Sequence, residues 1–213
     1  MKIIKWLCYS LAFVILFCVA YYRIWFLRQP ERNIPNNPSV FVAPANGVVV
    51  SVKRWTADNL LVKKGEFGVI NVWTKDVDTG GTIISIQMDP TNVHFQRAPQ
   101  DGKLLSERYT KGDFNNAVVM SNEYGTRFEN EHNEMLFQST SGKKYKLVQI
   151  AGFLARRIED YVVPEQQVKQ GEVIGLIKLG SQVTVILPHD ITPNVKVGDI
   201  TVDGETVIGN EGN

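Results

Sequence analysis

The chain has 213 residues, 44% of them apolar and 21% charged, enough for one domain of ordinary size and an appendage. Lys and Arg number 23 against 22 Asp and Glu, and a net charge of +1 gives nucleic-acid binding no support. Both cysteines, Cys8 and Cys18, lie near the N-terminus, so the rest of the chain has no disulfide, thiolate chemistry or cysteine-type zinc site to draw on.

In chain order, the first element is a membrane anchor. From Ile3 to Leu27 the sequence reads "IIKWLCYSLAFVILFCVAYYRIWFL". About 17 residues, Trp6 to Tyr22, carry no charge, where about 20 span a bilayer as a helix. Trp6, Tyr9, Tyr21, Tyr22 and Trp25 lie near the two ends, as interfacial aromatics do. A cleaved signal peptide is disfavoured, because no small-x-small site follows the apolar run cleanly. Lys2 and Lys5 flank one end, Arg23 and Arg28 the other, so the charges leave orientation open. The predicted organisation is an anchor over 1–28, a Pro- and Asn-rich linker over 29–40 and a single domain over 41–213.

Short runs rich in Val, Ile and aromatics then predict strands: "SVFVAP", "GVVVSVKRW", "GEFGVINVW", "GTIISIQM", "NAVVMSN", "TRFENEHNEMLFQS" and "KYKLVQIAGF". Ala151 to Val162 reads as a helix, with Phe153, Leu154, Ile158 and Tyr161 at helical spacing. In the C-terminal third a pattern recurs: Val168-Lys169-Gln170-Gly171-Glu172 is echoed by Val195-Lys196-Val197-Gly198-Asp199, and a further Gly-acid turn follows at Gly204-Glu205. The expected fold is mainly β (α+β), a β-sandwich or barrel-sandwich-like domain with one or two packed helices behind a transmembrane anchor.

Chemistry has few places to sit. The three histidines are His94, His132 and His189. His94 follows Val93 and precedes Phe95, at a strand end; His132, in "ENEHNE", reads as a solvated face and His189 as loop. No metal-type His spacing, G-x-S-x-G elbow, phosphate loop or dinucleotide fingerprint is present. Within "IKLGSQVTVILP", Gly180-Ser181 interrupts an otherwise strand-like run, a turn on the face of it.

Taken together, "FVAPANGVVVSV", "NVHFQRAPQDGKL", "KGDFNNA", "ENEHNE", "VQIAGFLARRI" and "GEVIGLIKLGSQVTVILP" come in the order and at roughly the spacing of phosphatidylserine decarboxylase proenzymes. The chain resembles the short bacterial and archaeal form from Val42 to Ile208. The resemblance implies a pyruvoyl-dependent carboxy-lyase of phospholipid biosynthesis that matures by autocatalytic cleavage. Ser181 would attack the Gly180 carbonyl, and the resulting ester would eliminate, leaving 1–180 and a second chain, 181–213, capped by a pyruvoyl group derived from Ser181. Glycine suits the upstream position because it has no Cβ to block attack. By the same resemblance His94 is the base. The pyruvoyl carbonyl would take the serine headgroup as a Schiff base and accept the electrons released with carbon dioxide.

The resemblance further implies phosphatidylserine in the bilayer as substrate, continued association of the two cleaved chains, and a place at the cell membrane with the catalytic domain on the cytoplasmic face; homo-oligomer formation stays open. Arg23, Arg28, Arg32, Lys53 and Arg54 suit an anionic surface, at about 1 kcal/mol each when close. One departure stands out. The family writes its first motif as Pro-x-Asp-Gly, with the carboxylate orienting the histidine; here it is Pro44-Ala45-Asn46-Gly47. Asn46 could hold an imidazole through its carbonyl but could not balance its charge. The alternative reading is therefore a degenerate, membrane-anchored β module that binds a partner and does no chemistry.

Overall fold

The computed structural model describes residues 2–56, 74–112, 130–152, 157–178 and 181–212. The strands expected at "GEFGVINVW" and "NAVVMSN" lie outside them, as do Leu179 and Gly180. An α-helix over Lys2–Ala20 (α1) runs into a π-helical turn, Tyr21–Phe26. Among the described residues fourteen strands follow: β1 Val40–Val42, β2 Gly47–Thr56, β3 Gly80–Met88, β4 Phe95–Arg97, β5 Gly102–Thr110, β6 His132–Ser139 and β7 Lys144–Ala151, then β8 Ile158–Asp160, β9 Gln167–Val168, β10 Val173–Ile177, β11 Ser181–Pro188, β12 Ile191–Pro193, β13 Ile200–Thr201 and β14 Val207–Glu211. The mainly β expectation holds.

The helix expected over Ala151–Val162 is a correction. Ala151 ends β7, Ile158–Asp160 is strand β8 paired with β10, and Phe153 to Arg156 fall outside the described residues. Ile158 enters the core as a strand residue, and four apolar positions in so short a stretch fit either period. The helical residues that do pack against the β domain come from the other end of the chain, at Tyr21–Phe26.

An eight-stranded antiparallel sheet carries the fold, in the order β13-β2-β3-β11-β7-β6-β5-β9. Strand β11 lies near its middle, between β3 and β7, with all eight of its residues buried. Both faces of β11 are covered: Val183, Val185 and Leu187 join the main core with Phe41, Ile84 and Phe137, while Ile186 points into a second cluster with Trp55, Ile83 and Val148. A strand buried on two faces needs the near-continuous apolar run that "VTVIL" supplies. Its one hydroxyl in that run, Thr184, is satisfied by Ser85 at 3.2 Å. Two three-stranded sheets, β1-β14-β12 and β4-β10-β8, close the remaining sides.

The recurrent Gly-acid pattern appears as two matching turns. Lys169 N–H donates to the Glu172 carboxylate at 2.8 Å and Lys196 N–H to that of Asp199 at 2.9 Å. Gly171 and Gly198 both adopt positive φ, 78° and 95°, which a side chain would resist. Gly171 and Gly204 also leave room for Ile34. A Cβ on either would lie under 3 Å from its Cδ1, so the Pro-rich stretch before the domain is seated on these turns.

Candidate active site

Ser181 is the first residue of β11 and is completely buried. Its backbone pairs with Met88 on β3 and Ala151 on β7, which fixes it from both sides. Its Oγ donates to the Met88 thioether at 3.4 Å, a weak acceptor that leaves the hydroxyl loosely held.

His94 lies just before β4, beyond a turn closed at Asp89–Asn92, and it too is completely buried. Its Nδ1 is 3.0 Å from the Asn92 carbonyl oxygen. A carbonyl can only accept, so Nδ1 carries the proton and Nε2 presents a lone pair. Nε2 is buried and has no hydrogen-bond partner among the described residues. Burial pushes the imidazole down to about 4; the Asn92 carbonyl and the Asp89 charge oppose that effect and Arg28 adds to it. The ring is therefore neutral at physiological pH, with a free acceptor inside the protein.

Ser181 and His94 share a scaffold. Gln96, two residues after His94 and so on the same strand face, donates to the His94 carbonyl at 2.6 Å and approaches the Met88 sulfur at 3.9 Å. Gln149 on β7 donates to the Gln96 side chain at 2.9 Å. A chain of contacts thus runs Ser181, Met88, Gln96, His94. Met88, Gln96 and Gln149 were not singled out in the sequence; the period-2 spacing of His94 and Gln96 was the one available signal.

Asn46 is placed differently from expectation. Its Oδ1 accepts from the Asp203 backbone N–H at 2.8 Å, and the acceptor at the His94 Nδ1 is the Asn92 main chain. Gly47 beside it is required by close packing, since a Cβ there would sit 2.1 Å from the Gln87 carbonyl oxygen. Asp203 is fully buried and paired with Arg32 at 2.5 Å and Arg97 at 2.7 Å. Gly180, the other half of the expected scission bond, lies outside the described residues.

The remaining histidines stand apart. His132 is a correction: it is buried on β6, its Nδ1 2.7 Å from the Asn130 carbonyl oxygen, where a solvated face was expected. The acidic residues around it misled, because β6 lies between β5 and β7 and its polar groups find partners there: Glu134 with Lys146 and Arg108, Asn133 with Glu107 and Asp160. His189 lies exposed in a turn, its Nδ1 2.6 Å from Asp78. Among the described residues no group of His, Cys, Asp and Glu could hold a metal ion.

These positions sit inside a wider likeness. The family model for phosphatidylserine decarboxylase matches residues 20–209. A protein of Desulfotalea psychrophila named phosphatidylserine decarboxylase proenzyme is 34% identical over 95% of this chain and 85% of its own length. Proteins of the same name from Geobacter metallireducens and Chlorobaculum parvum are 36% and 33% identical, over 87% and 89% of this chain and 76% and 78% of their own lengths. With a match of this extent and an order of motifs that agrees with it, the chain belongs to the phosphatidylserine decarboxylase family.

Proposed function

We propose that this protein is a phosphatidylserine decarboxylase that cleaves itself between Gly180 and Ser181 and works with a pyruvoyl group derived from Ser181. One observation carries the reading: Ser181 and His94 are both completely buried, Ser181 Oγ rests on the weak Met88 acceptor, His94 Nε2 has no partner among the described residues, and Gln96 links the Met88 sulfur to the His94 main chain. Buried polar atoms normally find good partners, and a pair that does not is a candidate for chemistry.

In the proposed maturation His94 Nε2 accepts the Ser181 hydroxyl proton as Oγ attacks the Gly180 carbonyl, and the peptide bond becomes an ester. Elimination across Cα and Cβ of residue 181 breaks the ester and frees the Gly180 carboxylate. Water then replaces nitrogen at Cα, ammonia leaves, and the second chain carries a keto-acyl cap. A pyruvoyl cap supplies an electron-accepting carbonyl to an amine substrate. The surroundings hold it in place: Met88 on β3 and Ala151 on β7 flank position 181. The neutral His94, its proton held on Nδ1 by Asn92, presents the Nε2 lone pair to take the Ser181 proton and can return it only once it has taken it. Asn46 acts at a distance, by holding the Asp203 turn.

The substrate reading rests on the family name and on the N-terminal helix. The most apolar stretch of Ile3–Phe26 has a mean hydropathy of 2.3, and none of that stretch is covered by the rest of the chain. The α-helix itself, Lys2–Ala20, has 19 residues and reaches about 28 Å, close to a hydrocarbon core of about 30 Å. We place the domain on the cytoplasmic face of the cell membrane, beside a lipid substrate that diffuses in two dimensions.

The deciding test is the intact mass of purified protein. Two chains with the break before residue 181, the smaller blocked to Edman degradation and modified by borohydride with an amine, support the reading. A single 24.0 kDa chain after long incubation sinks it. Release of carbon dioxide from phosphatidylserine liposomes, and not from soluble amino acids, tests the substrate.

A further inference from the structure

The end of the anchor is built onto the catalytic loop. Phe26 is completely buried, and its ring centroid lies 4.2 Å from that of His94 with the planes 34° apart. Among the described residues its small apolar cluster holds Val93, Phe95 and Leu176 as buried neighbours, with Tyr21, Tyr22, Leu27 and Val173 at the edge. Either side of Phe26 the anchor grips the turn before His94: Tyr21 Oη donates to the Pro90 carbonyl at 3.0 Å and Arg28 Nη2 to that of Thr91 at 2.7 Å. Asp89 closes the same turn from within, accepting from Thr91 N–H and Oγ1.

We propose that Phe26 is a positioning residue for His94: the last turn of the membrane anchor forms the water-excluding wall that holds the imidazole neutral with Nε2 free. The inference rests on the reading of His94 as the base. Without the ring, water would reach the imidazole from the anchor side, and the desolvation that disfavours its charged form would weaken. The charged groups facing His94 are Asp89, which favours protonation, and Arg28, which opposes it. Removing the ring should therefore raise the His94 pKa from about 4 toward its ordinary 6.5. The anchor would thus do more than tether: a domain detached from it would carry a hydrated, more easily protonated histidine.

The test uses the full chain in lipid nanodiscs. In a Ser181→Ala background, ring-labelled histidine is titrated by NMR, and His94 is assigned by loss of its signal in His94→Gln. Phe26→Ala should move the midpoint up by about one unit or more toward the unperturbed value, and Phe26→Leu, which keeps an apolar cover, by less than half of that. With Ser181 intact, self-cleavage should be flat from pH 8 to 5.5 in the parent but fall in Phe26→Ala as pH drops toward the raised midpoint, by up to about tenfold at pH 5.5 where that midpoint reaches the ordinary 6.5. If alanine prevents folding, Phe26→Val should show the same direction at smaller size. An unmoved midpoint in a folded Phe26 variant overturns the inference, as does a uniform slowing at every pH. The titration decides the effect on His94 whether or not that residue does chemistry. Cleavage of His94→Gln at the parent rate would remove the base reading, and with it the functional half of the inference.

Discussion

Arg97 Nε donates to Asp203 Oδ2 at 2.7 Å inside the protein, and the two residues would belong to different chains once the bond before Ser181 is cut. Asp203 has no exposed surface and depends on Arg97 and on Arg32, which reaches it at 2.5 Å from the segment after the N-terminal helix. Removing one partner from a buried ion pair leaves an uncompensated charge, a loss of about 3–5 kcal/mol. Arg97→Met should fall at the low end of that range because Arg32 remains. Arg32→Met with Arg97→Met should exceed either alone and approach unfolding. Thermal melts of the uncut Ser181→Ala form would check both, and a shift of under a degree in the double variant would mean the pair contributes nothing.

A second prediction concerns the fate of the short chain. Residues 181–212 supply β11, hydrogen-bonded to β3 over eight positions and to β7 over six, as well as β12, β13 and β14. Val183, Val185, Ile186 and Leu187 are fully buried, and each contributes about 1.5–3 kcal/mol. The cleaved chains should therefore co-elute in mild detergent through any salt concentration and separate only in denaturant. Loss of the short chain on a salt wash would contradict the placement of β11 between two neighbours.

Replacing Asn46 should matter less than the family motif suggests. A serine-protease triad that loses its orienting carboxylate slows by about 10⁴, because the imidazole takes the wrong tautomer. Here the Asn92 main-chain carbonyl holds Nδ1, and a main-chain acceptor survives any change at position 46. Asn46→Ala should slow self-cleavage by about tenfold or less and cost roughly 1 kcal/mol through the lost bond to the Asp203 N–H. Asn46→Asp keeps an acceptor there and should restore the parent rate within a few-fold. A loss near 10⁴ in Asn46→Ala, followed by gel densitometry, would return the orienting role to this position.

Much of this fold is written locally, and some of the site is not. The strand at "GVVVSVKRW" and the two V-K-x-G-acid turns depend on neighbours in sequence, and both appear where the pattern implies. Ser181 and His94 could be picked out by residue type and resemblance, and both are buried on adjoining elements. Phe26 could not: as a residue it is one more aromatic at the end of an apolar helix, and only the docking of that helix on Val93 and Phe95 brings it to His94. Ile34 was similarly hidden in a Pro-rich stretch that composition marks as loose, though its side chain fills the space that Gly171 and Gly204 leave. His132 and Ile158 were misread for one reason. Burial of a polar residue, and the choice between helix and strand in a short apolar stretch, are set by partners distant in sequence.

The last prediction sets two titrating groups against each other. Asp160 donates nothing to its surroundings when ionised: its Oδ1 accepts from Asn133, which also donates to Glu107. Desolvation first and the Glu107 carboxyl second push Asp160 up to about 7. Between about pH 4 and 7 the folded protein thus holds a proton that the unfolded chain has lost, and stability falls as pH rises through that range. His94 has the opposite sign. Its folded value near 4 lies below the unfolded 6.5, so the unfolded chain binds the extra proton and stability rises with pH between the two. The effects oppose one another up to about pH 6.5, above which only the Asp160 effect persists. Ser181→Ala protein should accordingly melt at nearly constant temperature from about pH 4.5 to 6.5 and at a lower one by pH 8. Asp160→Asn, neutral at every pH and still able to accept from Asn133, should raise the melting temperature most at pH 8 and by roughly a third as much at pH 5, where the loss that begins near pH 4 is only partly complete. His94→Gln should remove the opposing slope and leave a fall with rising pH across the whole range. Equal gains from Asp160→Asn at pH 5 and pH 8 would show that Asp160 is already ionised in the folded protein at the lower pH.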